Sequence, residues 1–345
     1  MKEFMNKRER LAAVLNGVAP DRPPVSTWRH FTDAEHQGPK PLSEKLLEFQ
    51  KQYDWDFMKI NPRAVYYHEA WGNVYDYAKY NDVIPTRIKT LVERLEDLDK
   101  IQPVSGTQGV FAEQLELVKI LVDAVGKDCP LFMTVFTPIG ILLNLCGMRS
   151  LGRYREAERE GSPVIHMIQE NGEQVHKALG IIADTIAEYC AALTKEGVDG
   201  VFYAALGMAR TGYFTQAEWE EFVKPYDVQV LKALRPAKTI LHTCGVYSNP
   251  EWFLDFPVDV LHWAESATGN PSLTGSDRWL NGVVPMGGVD ERLFGQNKPD
   301  EIKSLAIQSI HKMAGKPYIL APDCSVSINT LDSEYRAFRA SVDEA

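Results

Sequence analysis

The chain has 345 residues, of which 45% are hydrophobic and 24% are charged, a balance typical of globular proteins that bury a sizeable core. The formal net charge of −10 argues against non-specific binding to nucleic acid, because phosphate contacts need clustered lysine and arginine. No run approaches the roughly 20 apolar residues needed to cross a bilayer, so we predict no membrane segment.

The N-terminal stretch MKEFMNKRERLAAVLNG is too charged for a secretory signal peptide and predicts an amphipathic helix. The five cysteines are odd in number and widely spaced. They favour a reduced, cytoplasmic protein over one held together by disulfides. In that setting an unpaired cysteine is a buried apolar residue, a metal ligand or a nucleophile.

Short apolar runs rich in β-branched or aromatic residues alternate with longer segments of helical periodicity. Length alone would allow two domains, but eight such runs fit a single α/β domain over 1–345, a (β/α)8 TIM barrel. Chemistry in such barrels lies just past the C-terminal ends of the strands. The predicted strands are 24–28, 57–61, 131–136, 199–204, 238–243, 259–264, 283–288 and 317–322.

Two local patterns refine this outline. The segment 73–95 alternates around the sequence YND, which predicts an inserted β-hairpin between strands 2 and 3 of the barrel. Thr215 and Glu218 have the spacing of a capping box, and Pro225 predicts a break in the helix that follows.

Three residues at predicted strand ends have the side chains that zinc prefers. His242 and Cys244 end the fifth run, and Cys324 follows the eighth. In a closed barrel these strand ends can converge, and two thiolates with one imidazole leave a fourth position open for water or substrate. The alternative is that the cysteines are core residues and the histidine is hydrogen-bonded and inert. Cys129, Cys146 and Cys190 lie away from this face and are predicted to be core.

Other polar residues follow the strand ends and are candidates for binding or catalysis. Glu265 ends the sixth run and is a candidate catalytic residue, as a fourth metal ligand that substrate displaces; its alternative is a solvated loop carboxylate. His262, in the same run, is assigned to the core or to support of the site. For each candidate arginine the alternative is a structural ion pair or a solvated charge. The candidate substrate-binding residues are Arg29, His30, Asn61, Arg63, Tyr203 and Arg210.

Six stretches together resemble the uroporphyrinogen decarboxylase superfamily. They are RERLAAVLNGVAPDRPPV, FTPIGILLNLCG, KEGVDGVFYA, FVKPYDVQVLKAL, ILHTCG and MGGVD, spread over nearly the whole chain. The resemblance implies a (β/α)8 barrel, in agreement with the strand count. It also implies one of two activities, because the superfamily contains both decarboxylases and methyltransferases.

Two departures from the decarboxylase pattern disfavour a porphyrinogen substrate. True decarboxylases carry an Arg-Gln-Ala-Gly-Arg stretch after the first strand, where this chain has STWRHFTDA, in which only Arg29 matches an arginine. They also place an aspartate after the second strand, where this chain has Asn61 in MKINPR.

His242, Cys244 and Cys324 instead match the His-x-Cys and distant Cys of the zinc-dependent methyltransferases of the superfamily. The resemblance to that branch implies Zn²⁺, a methyl group carried by a corrinoid, and a thiol acceptor, which is coenzyme M in the best-known members. Zinc would hold the acceptor sulfur as a thiolate. Arg63 and Arg210 would suit a sulfonate or carboxylate on the acceptor.

The sequence shows no Asp-x-His-x-x-Gly motif, the mark of a corrinoid-binding module. The methyltransferase interpretation therefore requires a separate corrinoid protein or free methylcobalamin. Two rival functions stay open: a decarboxylase of a porphyrinogen-like or smaller acid, and a non-catalytic barrel that binds a corrinoid partner or a tetrapyrrole.

Overall fold

The protein is described by a computed structural model, which defines residues 4–148, 153–154 and 158–345. Strands and helices alternate along most of the chain. The strands are β1 (Met58–Ile60), β2 (Val74–Asn81), β3 (Ile84–Lys89), β4 (Leu131–Phe136), β5 (Gly200–Leu206), β6 (Lys238–Thr243), β7 (Val260–Trp263), β8 (Val284–Val289) and β9 (Ile319–Pro322). The helices are α1 (Lys7–Leu15), α2 (Pro39–Tyr53), α3 (Tyr66–Trp71), α4 (Val110–Val125), α5 (Pro138–Leu145), α6 (Pro163–Glu196), α7 (Gln216–Phe222), α8 (Lys224–Ala233), α9 (Pro299–Lys312) and α10 (Asp332–Glu344).

All the barrel strands are parallel. Within the described residues they form one sheet of seven, in the order β1, β4, β5, β6, β7, β8 and β9. Each strand pairs with the next barrel strand in the chain, and helices separate most of them. This is the α/β barrel that the sequence predicts.

The first predicted strand, 24–28, differs from expectation because it makes only an isolated parallel bridge, between Val25 and Leu320. The segment still closes the barrel: Leu320 N donates to Pro24 O at 2.9 Å, and Asp56 N donates to Val25 O at 2.9 Å. A regular ladder does not form because proline has no N–H to donate. The N–H of Val25 goes instead to the Asp56 carboxylate at 2.8 Å.

The predicted hairpin is confirmed as the antiparallel pair of β2 and β3, inserted between β1 and β4. The turn between the two strands contains Asp82 with φ 58°, a backbone conformation that aspartate tolerates better than most residues. The hairpin lies outside the parallel sheet.

The buried apolar side chains form two clusters, one on each face of the barrel sheet. One lies inside the barrel and includes Phe57, Phe132, Phe202 and Ile240, together with Leu11 and Val14 from α1. The predicted N-terminal helix therefore exists and buries its apolar face against this inner cluster. The other, larger cluster lies between the strands and the surrounding helices.

The helix signals are also confirmed. Thr215 accepts from the backbone N–H of Glu218, whose side chain accepts from the N–H of Thr215, so both halves of the capping box are present. Helix α7 ends at Phe222 and α8 begins at Lys224, which places the break beside Pro225. Among the helices of the described ranges, none is both long and apolar enough to span a membrane.

Candidate metal centre

The candidate ligands come from two distant parts of the chain. His242 lies on β6 beside the inner cluster, and Cys244 follows the strand, with its N–H donating to Leu206 O at 3.0 Å. Cys324 lies two residues after β9. Because all barrel strands run in the same direction, both positions are at the C-terminal mouth of the barrel.

The three side chains meet as the sequence predicts. The ligand atoms of His242, Cys244 and Cys324 all lie within 4.8 Å of one another, and Cys324 Sγ is 3.5 Å from His242 Nε2. Tetrahedral coordination with Zn–S near 2.3 Å and Zn–N near 2.05 Å would separate sulfur and nitrogen by about 3.5 Å. All three residues are at most 6% exposed. The arrangement therefore fits a zinc ion in donor type, spacing and burial.

Cys324 differs from the other four cysteines in the direction of its pKa shift. Cys244 donates a hydrogen bond toward Cys324, which lowers the pKa of Cys324 and raises that of Cys244. The positive charge of the Arg153 guanidinium contributes a lowering of the pKa of both thiols. Burial is the main cause that raises the pKa of Cys129 and Cys146 to about 12. A cation at the centre would favour the thiolate form of both site cysteines further.

The remaining cysteines are confirmed as core residues. Cys129, Cys146 and Cys190 belong to the cluster between sheet and helices, and none is more than 6% exposed. All five cysteines are free and buried, in agreement with the prediction that disulfides do not hold the protein together.

Gly245 allows a close backbone approach next to Cys244. It has φ 86°, and a Cβ at this position would lie 2.6 Å from the carbonyl oxygen of Arg153. The same oxygen accepts from Val246 N at 2.9 Å. Glycine is therefore required so that the loop after β6 can contact the Arg153 segment directly.

His262 supports the ring of His242 from the neighbouring strand. The two ring centroids are 4.6 Å apart, and His262 Nε2 donates to Pro322 O at 2.9 Å. Burial lowers the pKa of His262 well below its ordinary value, so the ring stays neutral. In the described residues Nδ1 of His242 has no hydrogen-bond partner. Nε2, which faces Cys324, is the nitrogen placed to bind a metal.

Asp323 is a site residue that sequence reasoning missed. Its carboxylate accepts from Ser266 N at 3.0 Å and from Gly288 N at 3.3 Å, so it joins the ends of β7, β8 and β9 beside Cys324. Burial raises its pKa to about 6. An acid directly before a cysteine at a strand end was the only available signal, and its partners lie 35 and 57 residues away.

Lys59 is a second missed residue, inside the barrel near the centre. Its ammonium lies 4.7 Å from the ring centroid of Phe202 and 5.4 Å from that of Trp28, and it donates to Asn61 Oδ1. Burial lowers the pKa of Lys59 to about 7, and negative charge at Cys324 opposes that shift. The signal was a lysine in the middle of an apolar strand.

A cavity of about 490 Å³ lies at the mouth of the barrel, beside the candidate centre. Ser325, next to Cys324, lies on its wall, and so does His30 from the loop after the first barrel segment. Glu291 is 4% exposed and accepts from Tyr154 at 2.5 Å and from Arg153 at 3.2 Å. The lining residues are His30, Asp82, Val83, Arg153, Tyr154, Glu291, Arg292, Phe294, Gln296, Ser325, Val326 and Ser327.

His30 is the one predicted substrate-binding residue on the wall of this cavity. Arg29 donates to the carbonyl of His30 at 3.2 Å and lies over the ring of Phe31. Asn61 accepts from Lys59 and donates to Arg29 O at 3.2 Å. Arg29 and Asn61 therefore brace the loop that carries His30.

The other predicted substrate residues have structural partners. Arg63 pairs with Glu69 at 2.8 Å and with Glu113 through both terminal nitrogens. Its contacts are therefore those of a structural ion pair, the alternative to substrate binding. Tyr203 belongs to the outer cluster and donates to the buried Asp227 at 2.7 Å, which places it on the helix side of the sheet. Arg210 is 1% exposed. The structure does not bring these three side chains to the cavity wall.

Glu265 does not join the three ligands. Its carboxylate accepts from Ser272 Oγ at 3.0 Å and from Leu273 N at 3.2 Å, within its own loop. The group of metal-type side chains found in the described residues comprises His242, Cys244 and Cys324. A role for Glu265 as fourth ligand stays a prediction, and it would require the loss of these two hydrogen bonds.

Comparison with known proteins places the whole barrel in one group. A family model described as uroporphyrinogen decarboxylase (URO-D) matches residues 6–345. Two curated relatives are named methylcobamide:CoM methyltransferase MtbA. The one from Methanosarcina mazei is 27% identical over 54% of this chain and 53% of its own length. The one from Methanosarcina acetivorans is 25% identical over 48% of this chain and 45% of its own length. The chain thus spans about half the length of these relatives.

Solved structures share the fold. A methyltransferase from Methanosarcina mazei superimposes with a TM-score of 0.79 at 18% identity, covering 99% of each chain. A B12-independent methionine synthase from Shewanella sp. W3-18-1 gives a TM-score of 0.57 at 13% identity, covering 88% of this chain and 86% of its own. At these identities the likeness supports the barrel architecture.

Proposed function

The chain belongs to the uroporphyrinogen decarboxylase family, and within it we propose a zinc-dependent methyltransferase that moves a methyl group between a corrinoid and a thiol or similar acceptor. The observation that carries this proposal is the convergence of His242, Cys244 and Cys324, whose ligand atoms lie within 4.8 Å of one another. The partial similarity to two methylcobamide:CoM methyltransferases supports the same activity.

The charge of the ligand set suits the chemistry. Zinc bound here would supply a Lewis-acid centre that keeps an acceptor sulfur ionised, because free thiols are only a few per cent ionised near neutral pH. Two protein thiolates offset the 2+ charge, so a bound sulfur would keep its electron density for attack on a methyl group. Neutral His262 holds the ring of His242, and Asp323 fixes the strand ends beside Cys324.

The mouth cavity is where we place the acceptor. It adjoins the centre through Ser325, and a volume of about 490 Å³ suits a small molecule. The methyl-carrying corrinoid would approach from the same side, because the C-terminal face is where barrel loops form active sites. A separate corrinoid protein or free methylcobalamin would supply it.

The contacts of two described residues disfavour the decarboxylase alternative. Arg63 is neutralised by two glutamates, so it offers no unpaired charge to a substrate carboxylate. At the end of β1 an amide, Asn61, occupies the position where porphyrinogen decarboxylases have an acid, and it is engaged by Lys59 and the Arg29 carbonyl.

Metal content tests the proposal directly. Protein purified without chelator should carry close to one zinc per chain, and His242→Ala and Cys324→Ala should each lose it. Cys129→Ala is the matched control, because that thiol is equally buried but lies in the core. Wild-type protein should also demethylate methylcobalamin in the presence of a thiol. Folded wild-type protein that binds no zinc when zinc is supplied would refute the proposal.

A further inference from the structure

A carboxylate–imidazole pair stands at the mouth of the barrel. Nδ1 of His30 lies 2.9 Å from Oε2 of Glu35, five residues further along the same loop. Glu35 is 1% exposed, and its other oxygen, Oε1, has no hydrogen-bond partner in the described part of the chain. Burying a carboxylate is costly unless it is paired, so its placement against a histidine calls for a functional explanation.

The pair fixes how the imidazole is presented. A carboxylate oxygen accepts, so Nδ1 of His30 is the donor in this hydrogen bond. In the tautomer that this bond selects, the lone pair of the ring is on Nε2. Because the Nδ1 edge faces Glu35, the Nε2 edge is the one left toward the cavity that His30 lines. The His30 side chain is 11% exposed, which holds it in a largely dry setting.

His30 lies on the wall of this cavity together with two residues that adjoin the candidate metal centre. Ser325 is bonded directly to Cys324, and Arg153 contacts the loop that carries Cys244, where its carbonyl accepts from Val246 N at 2.9 Å. A thiol that approaches the centre through this cavity would pass the wall that carries His30.

We propose that His30, positioned by Glu35, accepts the proton of the acceptor thiol as its sulfur binds at the centre, an inference that rests on the proposed function. The S–H bond would break, the proton would move to Nε2 of His30, and the electron pair would stay on sulfur as a thiolate, the form that a metal held by His242, Cys244 and Cys324 would bind. The imidazolium that forms faces the buried Glu35 carboxylate, which stabilises its charge. His30 is thus the catalytic base, and Glu35 is a positioning residue.

Other charged groups around the cavity are already paired or lie at its edge. Arg153 and Tyr154 both bind Glu291, and Arg292 donates from Nε to Oδ1 and from Nη2 to Oδ2 of Asp290. Asp82 lies in the hairpin turn. Burial raises the pKa of the Tyr80 phenol, and the nearby Glu35 carboxylate raises it further. Glu291 is the rival base, because burial raises its pKa to about 7.

Proton counting on thiol binding distinguishes these bases without methyl transfer. Protein loaded with Co²⁺ in place of zinc is titrated with 2-mercaptoethanol, and the increase in cobalt–thiolate absorbance above that of the two cysteine ligands reports sulfur binding. A pH indicator in weak buffer reports the protons released. At pH 7 the wild type should release well under one proton per thiol bound, because His30 keeps it.

The His30→Asn variant should release close to one proton per thiol. The apparent affinity of this variant for the thiol at pH 7 should fall by about tenfold, the equivalent of one pH unit. The difference from the wild type should disappear as the pH approaches the pKa of the free thiol. Glu35→Gln should give an intermediate proton count, since an amide accepts from Nδ1 but carries no charge. His36→Asn is the matched control, since it removes an exposed histidine of the same loop.

The outcomes separate the two levels of inference. A wild-type proton count in His30→Asn, with an affinity loss that does not depend on pH, would overturn the role of His30. A changed proton count in Glu291→Gln but not in His30→Asn would also overturn it, in favour of Glu291. If thiol leaves the cobalt spectrum of the wild type unchanged, the methyltransferase proposal itself fails, and the role of His30 fails with it.

Discussion

Replacing Gly245 by alanine should disturb both folding and metal binding. At φ 86° any L-residue is strained, at a cost of about 1–2 kcal/mol. The new Cβ would lie 2.6 Å from the Arg153 carbonyl oxygen, so the two segments must separate by about 0.8 Å to reach the ordinary contact distance of 3.4 Å. That shift would break the bond from Val246 N, a further loss of about 1 kcal/mol.

The expected destabilisation is therefore about 2–3 kcal/mol by urea unfolding of the metal-free protein. Because Cys244 is the adjacent residue, zinc affinity measured against a chromophoric chelator should fall about tenfold or more. Gly212→Ala is the matched control: its φ is 87°, but nothing lies within 4 Å of the added Cβ. It should show the backbone strain alone and unchanged zinc affinity. Equal destabilisation in the two variants, with zinc affinity unchanged in both, would refute the close-approach argument.

Two further predictions concern buried carboxylates. Asp323→Asn puts a neutral amide where Ser266 N and Gly288 N donate to a carboxylate. Zinc affinity should fall about tenfold, because the strand end that carries Cys324 is then held less firmly. An unchanged affinity would show that Asp323 does not position the ligand. Burial raises the pKa of Asp227 in the folded protein to about 8, against 3.8 ordinarily. The free energy of unfolding should therefore fall as the pH rises from 4 to 8, by at most about 1.4 kcal/mol per pH unit. The reason is that Asp227 ionises in the unfolded chain over this range but stays protonated in the folded protein. Asp227→Asn should flatten this dependence in urea titrations, and an unchanged slope would contradict it.

Much of the fold follows from local sequence patterns. The barrel strands appear as apolar runs because parallel strands are covered on both faces, and Thr215 with Glu218 defines a helix start through contacts three residues apart. The segment 24–28 shows the limit of such patterns. Its composition predicts a strand, but it forms only a bridge, because its prolines have no N–H and Val25 N donates to the Asp56 carboxylate.

The site shows the same division. His242, Cys244 and Cys324 could be grouped from the sequence because the barrel rule places strand ends at one mouth, and the structure brings their ligand atoms together. Arg63 and Tyr203 also follow or end strands, but Arg63 is taken by two glutamates and Tyr203 faces the helices. Position along a strand does not reveal which partner a side chain finds.

The sequence by itself determined the barrel class, the inserted hairpin, the capped helix start and the residue types of the candidate metal centre. These depend on periodicity, turn chemistry and ligand identity, all of which are local. Only the tertiary structure decided that Asp323 joins three strand ends, that Lys59 is buried near the centre, and that the loop carrying the His30–Glu35 pair lies at the cavity wall. Each of these depends on which distant segments share a low-dielectric space, and closure of the barrel sets that proximity.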